Sequence, residues 1–106
     1  MPIPNIAEIP DIYQLVSEYH FVLGELETRI TIRIHKLLGR ELFVFTQSHF
    51  IHTPTQIDAY ITNINTGDTE EWALTRALWT FSYYGDAIRA GHKPEESWLV
   101  ANPYLW

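Results

Sequence analysis

The 106-residue chain contains no cysteine. That excludes disulfides, thiolate nucleophiles, and thiolate-ligated zinc or iron–sulfur sites. Glycine is scarce, and no Gly-x-Gly occurs, so neither a phosphate loop nor a dinucleotide fingerprint is present. Ser17, Ser48, Ser82 and Ser97 all lack the glycine elbow that presents a nucleophilic serine. There is no Asn-x-Ser/Thr sequon, and no apolar run approaches the length of a membrane span. Basic residues are few as well. Seven Lys and Arg face thirteen Asp and Glu, for a formal net charge of -6. Such a surface repels phosphate backbones and anionic lipid, so neither nucleic acid nor membrane is an expected partner. Arg29, Arg33, Lys36 and Arg40 form the one basic cluster in the sequence. The opening "MPIPNIAEIP" lacks a basic n-region and an apolar h-region. With the missing cysteine, this leads to a cytoplasmic expectation.

What the chain does have is apolar and aromatic. It is 46% hydrophobic and 19% charged, the balance of a folded domain, and its length fits a single domain over residues 1–106. Aromatics reach 14%, a heavy load for a small core. Some of these rings are therefore expected at an interface or groove.

Residues 1–10 hold three prolines and read as an extended lead-in. From Asp11, residues Ile12, Leu15, Val16, Tyr19 and Leu23 share one helical face, with Asp11 at the N-terminus and Gly24 at the end. The period then changes. Ile30, Ile32 and Ile34 alternate with polar residues, which predicts a strand over Thr28–His35. A continued helix through Ile30, Ile34 and Leu37 competes with that reading, and the β-branched Thr and Ile favour the strand. Gly39 turns the chain back into a partner strand, Leu42–His52, which Pro54 ends. Ile57, Ala59 and Ile61 alternate in a third strand, Ile57–Ile64.

A long helix follows over Thr69–Ala90. Asp68 and Glu71 suit a capping box, and Leu74, Ala77, Leu78, Phe81, Tyr84 and Ile88 form its apolar stripe. "PEESWLVA" reads as a short helix with Pro94 in its first turn. The expected fold is α+β: a three-stranded antiparallel sheet covered by one long C-terminal helix, with an N-terminal helix and an aromatic C-terminal tail.

Three constellations carry possible chemistry. His49 and His52 flank "FI" in "SHFIHTP". On a strand their odd separation points them to opposite faces, about 10 Å apart, which is a poor chelate. Only a turn at Phe50, or a cross-strand pairing of His49 with His35, rescues a metal or catalytic site there. Asp68, Glu70 and Glu71 suit a hard cation or general base, but helix capping and dipole compensation account for them fully. Asp58 and Asp86 have no partner at catalytic spacing.

The third constellation is aromatic. Trp72, Trp79 and Tyr83 widen the helix stripe beyond what one sheet face requires, and the ending adds Trp98, Tyr104 and Trp106. These six residues are the candidate interface.

"GDTEEWALTRAL", residues 67–78, resembles the strand-to-helix junction of HicB-type antitoxins. The resemblance implies a small antiparallel sheet with a helix laid on it. The Pro-Gly turn of that family is absent. Three functions are then expected to compete. The leading one is a non-enzymatic binding or regulatory module, without cofactor, that engages a protein partner or a second copy through the aromatic surface. The others are a metal-binding protein or enzyme built on His35, His49 and His52, and an antitoxin-like inhibitor of a basic partner.

Overall fold

Ile30, Ile32 and Ile34 set the centre of the fold: all three are fully buried, and their alternation makes them one face of a strand. Burying each such side chain contributes roughly 1.5–3 kcal/mol. The computed structural model describes residues 11–104. The lead-in expected over residues 1–10, and Trp106, lie outside the described residues.

The strand carrying the isoleucines, β2 (Ile30–Leu37), lies between β1 (Tyr13–Phe21) and β3 (Phe43–Gln47), antiparallel to both. The β2–β3 connection is the expected turn, with Gly39 at φ +82 and Leu37 N–H bonded to Leu42 O. β4 (His49–Ile51) follows after a bend at Ser48. A two-residue strand, β5 (Thr66–Gly67), pairs with β3, giving a four-stranded sheet in the order β1-β2-β3-β5. The helices α1 (Glu70–Trp79) and α2 (Ser82–Arg89) come next, then a 3-10 turn at Glu96–Trp98 and β6 (Leu99–Ala101). β6 pairs with β4 in a separate two-stranded ribbon. Among the described residues, no helix is long and apolar enough to cross a membrane.

The α+β class, with an antiparallel sheet and a helix against it, matches the expectation; several elements do not. The predicted N-terminal helix is strand β1. Its register against β2 shifts between Leu15 and Ser17, a β-bulge. Gly24, expected at a helix end, instead sits in the β1–β2 turn at φ +51. The predicted strand Ile57–Ile64 is a loop, because the β3 edge it would need is taken by Asn65 and β5. Leu42–His52 is divided at Ser48 between the two sheets. The helix predicted over Thr69–Ala90 breaks in two at Thr80. The Thr80 hydroxyl donates to Ala77 O, and Phe81 leaves the helical conformation (φ -97, ψ 7) to place its ring edge-on to Phe21. The α1 cap is Thr69, whose hydroxyl accepts from Trp72 N–H, not the Asp68–Glu71 box. The short helix expected after Pro94 is one 3-10 turn running into β6.

α1 docks on the sheet through small residues. Ala73 and Ala77 are fully buried, and the backbone of Ala73 lies against Gly67, where an added Cβ would fall 2.7 Å from Ala73 N. Such a close approach buries the narrow side of the helix and turns its large side chains outward.

Candidate functional site

Trp72, Arg76 and Trp79 lie at i, i+4 and i+7 on α1, so they share one face, which flanks the side that Ala73 and Ala77 pack on the sheet. The Trp72 and Trp79 rings meet edge-to-face at 5.2 Å between centroids. The Arg76 guanidinium lies over the Trp72 ring, 5.2 Å from its centroid. Trp79 is 59% exposed, so this ring pair is a surface feature and not part of the core.

The 52–65 loop forms the other wall. It is anchored at several points. Tyr60 N–H donates to Ile51 O, the Gln56 amide donates to Ile51 O, and Phe45 N–H takes Asn65 O. His52 Nε2 lies 3.1 Å from Ile57 O. The loop nevertheless leaves Ile57, Ile61 and Ile64 largely in solvent, with Ile57 95% exposed. Tyr60 bridges to α2 through a 5.6 Å ring contact with Tyr83. Between loop and helix lies a groove of about 260 Å³ lined by Tyr60, Thr62, Ile64, Arg76, Trp79 and Thr80. Of the three isoleucines Ile64 lines this groove, while Ile57 and Ile61 border a neighbouring hollow with Tyr60 and Tyr83.

The structure places the six candidate interface residues differently. Trp72 and Trp79 stand on this surface, and Tyr83 is half-buried at its edge. Trp98 is a correction: it is 3% exposed, packed edge-on to Tyr84 at 6.0 Å, and belongs to the core. The β4–β6 pairing draws it inward, with His52 N–H bonded to Trp98 O. Tyr104 is 78% exposed and lies beyond β6, and Trp106 lies outside the described residues. Ile64 and Arg76, which line the groove, are absent from the six. The 72/76/79 spacing is a readable signal for Arg76, whereas Ile64 falls within the segment that reads as a third strand.

The three histidines are not brought together. His35 pairs with Leu15 and Val44 in the sheet, while His49 pairs with Ala101 in the ribbon. His49 Nδ1 lies 2.8 Å from Ser48 Oγ, and burial pushes its pKa below the ordinary value. Among the described residues, no group of three or more His, Asp and Glu side chains could hold a metal ion. Asp86, which has no partner at catalytic spacing in the sequence, forms an exposed i,i+3 ion pair with Arg89.

A different histidine makes the more suggestive array. His20 Nδ1 lies 2.8 Å from Thr31 Oγ1, and its Nε2 lies 3.0 Å from Glu18. Glu18 also accepts from Arg33 Nε at 2.6 Å, which holds its carboxyl below the usual range. The order hydroxyl, imidazole, carboxylate resembles a catalytic relay in outline only. Thr31 is buried, so its hydroxyl is closed to a substrate, and the array is a cross-strand ladder between β1 and β2.

Comparison with protein-family models, curated proteins and solved structures finds no match to this chain. The local resemblance over residues 67–78 corresponds to the β5–α1 junction.

Proposed function

We propose that this protein is a small non-enzymatic binding or regulatory module that engages a protein partner through the aromatic face of α1 and the 52–65 loop. One observation carries the reading. An edge-to-face tryptophan pair stands exposed on a helix that docks through alanine, and Trp79 shares a groove with Tyr60 and the exposed Ile64. Large rings contribute most of the energy at protein interfaces when a partner removes them from water. Left bare, the same apolar surface is an aggregation liability. Neither the dispersed histidines nor the closed Thr31 ladder offers a comparable site.

The test compares the wild-type chain with the double variant Trp72→Ala, Trp79→Ala, and with Val22→Ala as a control on an exposed residue beyond β1. Sedimentation velocity reads self-association, and affinity capture from the source cell reads partners. The double variant is expected to lose the captured partner or the dimer while keeping its far-ultraviolet circular dichroism. Capture and sedimentation unchanged in a folded double variant would overturn the reading.

A further inference from the structure

Arg76 poses a problem that the tryptophans do not. Its Nε is buried and has no hydrogen-bond partner. Buried donors are normally satisfied, and leaving one unmade is unfavourable. Arg33, Lys36 and Arg89 have carboxylates, and Arg29, Arg40 and Lys93, which have none, are exposed to water, whereas Arg76 is half-buried. Among the described residues, Arg76 has no ion-pair partner, although the chain carries thirteen acids. Its guanidinium sits on Trp72 and lines the groove with Trp79 and Tyr60. Compensation of the helix C-terminus accounts for a positive charge in the last turn of α1. It does not account for a donor that is dry and unpaired.

Resting on the reading above, we infer that the groove between α1 and the 52–65 loop binds a peptide segment that presents a carboxylate beside a large apolar side chain. The carboxylate goes to Arg76, and the apolar group goes between Trp79, Tyr60 and Ile64. The chemistry is complementary at each point. A guanidinium offers paired parallel donors that match a carboxylate, and stacking on an aromatic ring holds its plane still. Apolar walls keep water away and strengthen the pair. The cation on one side and the apolar rings on the other fit a segment of an acidic, apolar partner protein.

The test pans a displayed random peptide library against the full-length chain and titrates the enriched peptides by tryptophan fluorescence. Enriched sequences are expected to carry Asp or Glu next to Leu, Ile, Phe or Trp. Arg76→Gln, and replacement of the peptide's acid by its amide, are each expected to weaken binding about tenfold or more. Raising salt from about 0.05 M to about 0.5 M is expected to weaken the wild type and not Arg76→Gln. Peptides that bind equally well to Arg76→Gln, yet are lost in Trp79→Ala, overturn the carboxylate inference and leave the aromatic docking surface standing. Failure of any peptide to enrich overturns this inference, while partner capture by the same chain tests the broader reading separately. Self-association abolished by Arg76→Gln, without peptide binding, also overturns it in favour of a second copy.

Discussion

Glu96, in the turn before β6, holds the start of β2 through Thr28, sixty-eight residues away. Its carboxylate accepts the Thr28 hydroxyl at 2.6 Å, the Thr28 amide at 2.9 Å and the Glu27 amide at 2.8 Å. Three donors converge on one acid, so the tail and the central strand are fastened at one point. The same tail delivers Trp98 to the core.

This clasp predicts an acid-sensitive limb of stability. The Thr28 hydroxyl first, then the Glu27 and Thr28 amides, hold the Glu96 carboxyl below its ordinary 4.5. A depressed carboxylate stabilises the fold fully above its unfolded pKa and loses that contribution as pH falls through the folded value. Thermal midpoints measured across acid pH are expected to fall less steeply below about pH 4.5 in Glu96→Gln than in wild type. Glu96→Ala is expected to lower the midpoint at neutral pH. Parallel acid limbs in wild type and Glu96→Gln would contradict the clasp.

His49 predicts a second limb at higher pH. Burial lowers its pKa from 6.5, so the unfolded chain binds its proton first. Stability is therefore complete above about pH 6.5 and declines from there down to the lowered value. His49→Asn is expected to flatten this region and leave the Glu96 limb in place. Urea denaturation at intervals from neutral to mildly acidic pH separates the two.

The two kinds of tryptophan should respond in opposite ways. Trp98→Ala empties a core position and is expected to cost about 3–5 kcal/mol. Trp79→Ala removes an exposed ring and its contact with Trp72, at no more than about 1.5 kcal/mol. Its effect is expected in partner capture instead. Equal destabilisation by the two changes, measured by urea denaturation, would place Trp79 in the core and remove it from the interface.

The seat of α1 is steric. A Cβ at residue 67 would fall 2.7 Å from Ala73 N and 3.2 Å from Thr69 O, both backbone atoms of the α1 start. Gly67→Ala is expected to destabilise by about 1–3 kcal/mol through overpacking. Ala73→Gly relieves little, since the clash is with backbone. A wild-type denaturation midpoint in Gly67→Ala would show that the helix is free to shift.

Some of this was readable from residue order. The polar–apolar alternation of Ile30, Ile32 and Ile34 declares a strand whatever surrounds it, because a period of two leaves one face to bury. Gly39 declares the turn, and the run of Glu70, Glu71, Leu74 and Ala77 declares a helix. Tertiary structure decided the rest. In β1 the bulge between Leu15 and Ser17 moves the strand's phase by one residue, so Leu15 and Tyr19, four apart, lie on opposite faces. Their spacing in the sequence imitates a helix, and only pairing with β2 resolves it. Ile57, Ala59 and Ile61 alternate like a strand but find no free edge, and Ile57 and Ile61 remain in water. Trp98 and Trp79 are alike in the sequence. The β4–β6 pairing buries one, and alanine packing at Ala73 and Ala77 turns the other outward. Local periodicity is a property of residue order, but which faces meet depends on pairings across tens of residues, and those pairings select the surface left to bind.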